Sequence, residues 1–313
     1  MQKRALGSTG LAISSLVLGG NVFGWTIDER QSFAVLDAFV DHGFDAIDTA
    51  DIYSAWAPGN KGGESETIIG NWLKARPGIR DKVVIFTKVG YHVDRGLSRG
   101  WIEKAVDASL ARLGIERIDL YFSHEFDPKT PHEETLATYA KLLDAGKIAH
   151  IGASNFDATE LADALAVAKV KGLPAYQVLE PEYNLYDRAS YDGALRDLAV
   201  KEGLGVVTYY SLASGFLSGK YRSAADLGQS QRGAGVVKYL TPRGEAILKA
   251  LDEVSARHAV KPAEVALAWL IARPGVTAPI ASATRVTHVE SFAKATAVKL
   301  NGEDIAALDA ASD

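Results

Sequence analysis

Asp48 and Tyr53 stand five positions apart in "DTADIYS", directly after the short apolar run "FDAI". Lys88 closes another apolar run, "VVIFTK", and His124 closes a third, "LYFSH". An ammonium at the end of an apolar strand needs a partner of opposite charge, and Asp48 is the nearest candidate in kind. If the two pair, the remaining positive field favours phenolate and lowers the Tyr53 pKa from its usual value of about 10. A phenol tuned in that way is a proton donor to a carbonyl oxygen, and a histidine beside it would orient that oxygen. Each residue alone also has a bland account: a polar strand cap, a half-buried phenol, a core imidazole bonded to backbone. Asp51, in the same stretch, acquires no comparable role.

The elements that would bring the four together are legible as a rhythm. Short apolar runs rich in Val, Ile, Tyr and Phe recur at 15–20, 44–49, 82–88, 118–124, 148–154, 175–181, 205–210 and 277–282. Between them lie segments of helical period, such as "SETIIGNWLKA", "WIEKAVDASLARLG", "HEETLATYAKLLDAG" and "PAEVALAWLIA". Strands apolar on both faces and alternating with helices predict a (β/α)8 TIM barrel. Catalytic residues of such a barrel come from the C-terminal ends of its strands. Those ends are Gly20 and Asn21, Asp48, Lys88, His124, Ser154 and Asn155, Gln177, Tyr209, and Ser282.

Two segments fall outside the rhythm. The opening "KRALGSTGLAIS" predicts an N-terminal β-hairpin around Gly7 to Gly10, a plug for the barrel bottom. Between the seventh and eighth strands, residues 211–276 hold a Gly- and Ser-containing loop and an extra helix over 242–258, and a loop that long reads as functional. A further helix is expected at the C-terminus. With no linker visible, residues 1–313 read as one domain.

Composition removes several alternatives. A net charge of -5 with scattered Lys and Arg offers no stripe for a phosphate backbone, so nucleic acid is not an expected partner. The absence of cysteine excludes disulfides, thiolate metal sites and a Cys nucleophile. With no signal-like leader and no apolar run approaching about 18 residues, a cytoplasmic protein without membrane contact is expected. The histidines show no HxH pattern and "HEETL" lacks the second His of HExxH, so no metal site is predicted. There is no GxSxG elbow, no P-loop spacing in "GFLSGK", no GxGxxG opening a helix and no Tyr-x-x-x-Lys.

Taken together, the motifs resemble those of the aldo-keto reductases along nearly the entire chain: "DTADIYS", "FTKVG", "YFSHEFD", "IGASNF", "VTYYSLASGFLSGKY" and "KPAEVALAWLIARPGVTAPIASATR". The resemblance implies NAD(P)H-dependent reduction of aldehydes or ketones, with Tyr53 as general acid, Asp48 and Lys88 as its tuners and His124 orienting the carbonyl. It implies that Ser154, Asn155 and Gln177 hold the nicotinamide carboxamide and that Tyr209 stacks on the ring. Gly20 and Asn21 would border the cofactor at the first strand end. Leu212, Ser214 and Gly215 would meet the pyrophosphate, and Ser282, Ala283 and Arg285 the adenosine ribose. Arg285 would read the 2'-phosphate, favouring NADP(H) over NAD(H), and His288, one helical turn on, either adds a contact or lies on the surface.

The chain departs from the family pattern after the seventh strand, where Tyr209-Tyr210-Ser211-Leu212 lacks the usual proline. Ser282 stands where a Gly is usual, Thr284 where many members have Lys, and Phe292 where many have Asn. Trp25, Trp56, Tyr91 and Phe126 follow strand ends and predict an aromatic mouth suited to apolar carbonyl substrates. Two rival readings remain: a cofactor-binding regulatory subunit of the same fold, and a barrel aldolase or isomerase using Lys88 as a Schiff base. Oligomeric state is not legible.

Overall fold

The computed structural model describes residues 2–91 and 96–313. Two short antiparallel strands, β1 (Lys3–Ala5) and β2 (Ala12–Ser14), form the expected hairpin. Eight parallel strands follow: β3 (Val17–Gly19), β4 (Ala46–Asp48), β5 (Val84–Val89), β6 (Leu120–Ser123), β7 (Ile151–Ser154), β8 (Val178–Glu180), β9 (Gly205–Thr208) and β10 (Ala278–Ala281). They close into a barrel in chain order, β10 pairing with both β9 and β3. Helices α1 (Glu29–Asp41), α2 (Glu64–Ala75), α3 (Arg99–Leu113), α4 (His132–Asp144), α5 (Ala158–Lys171) and α6 (Ala194–Lys201) alternate with the strands. After β9 come three short 3-10 turns and then α7 (Pro242–His258) and α8 (Pro262–Ala272). Helices α9 (Val286–Ala297) and α10 (Gly302–Ser312) end the chain, α10 packing on α7.

The strand residues divide between two cores. Side chains pointing inward, including Val17, Ala46, Phe86, Leu120, Phe122, Val178, Val207 and Ala278, fill the barrel; the hairpin adds Leu6 and Ile13 to that cluster from below. The larger core lies between strands and helices, where Trp72, Trp269, Tyr139 and Phe39 are fully buried. The hairpin sits so close that a Cβ on Gly7 would lie 2.3 Å from the Gly205 nitrogen, at a φ of 55°. Only glycine fits there.

Parallel register sets which residues surface together at the mouth. Gly19 lies against Asp48, Lys88 against Phe122, and Ser154 against Glu180. Asp48 in turn pairs with Phe86, and Phe122 with Gly152, which pairs with Val178; Lys88 therefore stands two residues beyond the register of Asp48 and Glu180 two beyond that of Lys88, the stagger of tilted strands in a barrel.

Candidate active site

Lys88, Asp48 and Glu180 are buried, and Tyr53 beside them is half-buried. The Lys88 ammonium contacts Asp48 Oδ1 and donates to the Thr49 carbonyl at 3.0 Å and the Tyr53 hydroxyl at 3.0 Å. A fourth oxygen, Glu180 Oε1, lies 3.2 Å away. The Tyr53 hydroxyl in turn donates to Asp48 Oδ2 at 3.2 Å. His124 completes the group, with its ring centroid 5.9 Å from that of Tyr53 and 4.7 Å from that of Tyr91. The four residues that the motifs singled out converge from the ends of three neighbouring strands, β4, β5 and β6, or from the loops just beyond them.

The electrostatics differ from the expectation. Burial works against the Lys88 charge, but Asp48, Glu180 and Tyr53 outweigh it and hold its pKa well above the usual lysine value. Burial, followed by the Asp48 charge, pushes the Tyr53 phenol well above 10, with Glu180 adding to the rise and Lys88 opposing it. The predicted lowering is therefore reversed. The physical reason is burial together with the Asp48 carboxylate, which outweigh the Lys88 ammonium; Glu180 adds a smaller push in the same direction. Burial also raises Asp48 against the pull of Lys88, and raises Glu180 to about 8.

Glu180 takes the place on β8 that Gln177 was expected to fill. Gln177 precedes β8 and faces the other end of the barrel, where its Nε2 donates to the Ser8 carbonyl of the hairpin at 3.1 Å and its Oε1 meets His150 at 3.0 Å. It cannot reach the mouth. At the mouth, Ser154 Oγ donates to the Glu180 carbonyl at 2.9 Å, Asn155 Nδ2 donates to the His124 carbonyl at 2.9 Å, and Tyr209 donates to Asn155 Oδ1 at 2.6 Å. Asn155 holds a left-handed φ of 56°, a strained conformation for a non-glycine residue.

The loop after β9 carries more of that strain. Without the proline, Tyr210, Ala213 and Ser214 take positive φ, followed by Gly215 at 95°. The Leu212 carbonyl accepts the amides of Gly215 and Leu217 and curls the segment over the β9 end. Across the mouth, Ser282 Oγ donates to Asn21 Oδ1, joining β10 to β3, and the Gly20 amide donates to the Asp48 carbonyl at 2.7 Å. Ala283 is buried beneath them, and Phe292 packs into the core.

Arg285 is exposed at the start of α9 and has no ion-pair partner among the described residues. His288 accepts the Thr284 amide at 3.3 Å; burial and then the neighbouring charges of Arg285, Lys220 and Lys261 hold its pKa down to about 4. It is neutral at neutral pH and adds no charge of its own. The same interaction exposes what the motifs missed: Lys220 and Lys261 join Arg285 around one point, three cations from three separate segments. Arg232, half-buried with its guanidinium 5.9 Å from the Tyr210 ring, is a further cation on the same loop. The donor set suits a dinucleotide: polar groups at one end (Ser154, Asn155, the Tyr209 ring, a Glu180 Oε2 with no hydrogen-bond partner among the described residues) and a cationic rim at the other.

Of the expected aromatic wall, Trp25 and Trp56 meet edge to face at 5.6 Å, and Trp56 lies 6.0 Å from Tyr53 while remaining 48% exposed. Tyr91 stands over His124. Phe126 is different: it packs on His132 and Phe156, in an aromatic pile that runs on to Tyr176, and supports the outer layer.

The family model for the aldo/keto reductase family matches residues 15–313. The chain belongs to this family. It is 34% identical over 97% of its length to an uncharacterised oxidoreductase of Bacillus subtilis, covering 93% of that protein. It is 31% identical over 94% of its length to a probable voltage-gated potassium channel subunit beta of Arabidopsis thaliana, covering 91% of it. An aldo-keto reductase of Alternaria alternata, AFTS1, is 30% identical over 98% of the chain and 91% of its own length. Membership makes this aldo-keto reductase an oxidoreductase acting on carbonyl compounds. Among the described residues, no helix is long and apolar enough to cross a membrane.

Proposed function

We propose that the chain is a single-domain, cytoplasmic reductase of small aldehydes or ketones that uses NADP(H) in preference to NAD(H). The observation that carries the reading is the Tyr53 hydroxyl, which accepts from Lys88 and donates to Asp48 at the open end of the barrel. A phenol with a pKa well above 10 keeps its proton at neutral pH, as a donor must. Bound dihydronicotinamide supplies the hydride. Ser154, Asn155 and Tyr209 hold that ring at the mouth, while Arg285, aided by Lys220 and Lys261, takes the 2'-phosphate. His124 orients the substrate oxygen and Tyr53 passes it a proton as charge develops. Lys88 then stabilises the phenolate, an effect made large by the burial of its ammonium.

Tyr53→Phe tests this directly. NADPH consumption with a panel of aldehydes and ketones, followed by absorbance, should fall about 10²- to 10⁴-fold, with NADPH binding retained. Near-normal turnover by the variant would overturn the assignment. The similarity to a protein named as a channel beta subunit supports a second reading, a cofactor-binding regulatory subunit. On that reading the wild-type protein binds NADPH but consumes none with any carbonyl in the panel.

A further inference from the structure

Lys88 carries three N–H groups, yet four oxygens surround its nitrogen: Asp48 Oδ1, the Thr49 carbonyl, the Tyr53 hydroxyl and Glu180 Oε1. Two carboxyls and one ammonium share a volume in which all three are at least 98% buried. If both carboxyls were ionised, the cluster would hold one uncompensated negative charge away from water. The two are not equivalent. Asp48 receives both Lys88 and the Tyr53 hydroxyl, one on each oxygen, whereas Glu180 has only the longer contact to Lys88 and its Oε2 has no partner among the described residues. The ionised form therefore belongs to Asp48 and the extra proton to Glu180.

We propose that Glu180 is a positioning residue whose proton keeps the Asp48–Lys88–Glu180 cluster neutral, and that loss of this proton turns down proton donation by Tyr53. Around Glu180 stand Asp48 from β4, Lys88 from β5, Tyr53 from the loop after β4 and Tyr209 from the end of β9; β7 contributes the neutral Ser154. With Glu180 ionised, a second negative charge faces the Tyr53 oxygen just where negative charge must develop, and the ammonium that would stabilise it is shared further. The groups titrate as a set, and burial places the Glu180 step at about 8, the phenol remaining well above it. The inference rests on Tyr53 being the proton donor of a carbonyl reductase.

The test is the pH profile of kcat/KM for carbonyl reduction in wild type and Glu180→Gln, whose carboxamide has the shape of the protonated acid. Wild type should lose about tenfold between pH 6 and pH 9, the fall expected of one ionisation near 8, and the variant should lose less than twofold. Equal falls in both would overturn the proposal. Two readouts do not need turnover. The infrared band of a protonated carboxyl should vanish from wild type between pH 6 and pH 9; its absence at pH 6 would also overturn the proposal, even if the variant fails to fold. The folded chain holds this proton where the unfolded chain has lost it, so the stabilisation is complete below about 4.5 and lost as pH rises through about 8. The wild-type Tm should accordingly fall more than that of Glu180→Gln across this window, and parallel falls count against it. If wild type reduces no carbonyl at all, the functional reading fails while the infrared and Tm results still decide the titration of Glu180.

Discussion

Replacing Asp48 by Asn removes one partner of a completely buried ion pair, a change that ordinarily costs about 3–5 kcal/mol because the other charge is left alone in the interior. Here a substitute is already in place. Glu180 Oε1 lies 3.2 Å from the same ammonium, so it can release its proton and become the counter-ion. The cost of Asp48→Asn should then shrink to that of the hydrogen bonds lost from Lys88 and Tyr53, about 1–3 kcal/mol. Glu180→Gln should cost less, since Asp48 still balances the charge. The double variant has no carboxylate left, and Lys88 must stay charged and unpaired or surrender its proton. It should therefore exceed the sum of the singles by about 2 kcal/mol or more, against the ~0.5 kcal/mol within which independent sites add. Urea unfolding of the four proteins at pH 7, compared at a common m-value, measures the coupling. Additivity would show that Glu180 does not stand in for Asp48, and would remove the charge-balance reasoning with it.

Arg285→Ala should raise the apparent KM for NADPH much more than for NADH, and Lys220→Ala should do so more weakly; equal effects on the two cofactors would show that neither reads the 2'-phosphate. For Asp304, burial raises the carboxyl but hydrogen bonds from His258, Arg257 and the Asn301 amide carry it down to about 2. Its contribution is present above about 3.8 and lost as pH falls through 2, so Asp304→Asn should lower Tm at pH 7 and have a progressively smaller effect as pH is lowered through 2. Gly7→Ala would drive a methyl into the Gly205 amide and the Gln177 carbonyl at a positive φ, and a loss of about 2 kcal/mol or more in chemical unfolding is expected. A loss under about 0.5 kcal/mol would mean that the hairpin is not seated on β9 as described.

The barrel and the Asp48, Tyr53, Lys88 and His124 group were legible because each residue ends or follows an uninterrupted apolar run, where a charged or phenolic group is conspicuous. The run "AYQVLEP" was less informative, since it carries both Gln177 and Glu180 and only the register shows which one closes the strand. Three residues at about 3.3 Å each separate the bottom of a short strand from its mouth. The sign expected for Tyr53 failed for a different reason: burial and the Asp48 charge raise the phenol more than Lys88 lowers it, and position along the chain does not show how strongly a group is desolvated. Lys220 and Lys261 were hidden for another reason: they are ordinary surface lysines in sequence, and only the fold brings them to Arg285 and His288. Phe126 followed a strand end like Trp25 and Trp56, but the side toward which a ring turns is not encoded in its position along the chain.

The hairpin and the inner layer of Val17, Phe86, Phe122 and Val207 stopper the barrel from below with apolar side chains. Protons can therefore be exchanged between the Lys88 cluster and bulk water from one direction only. A molecule seated across the mouth would cut that route, so a proton given up by Tyr53 would be replaced from water only after that molecule had left.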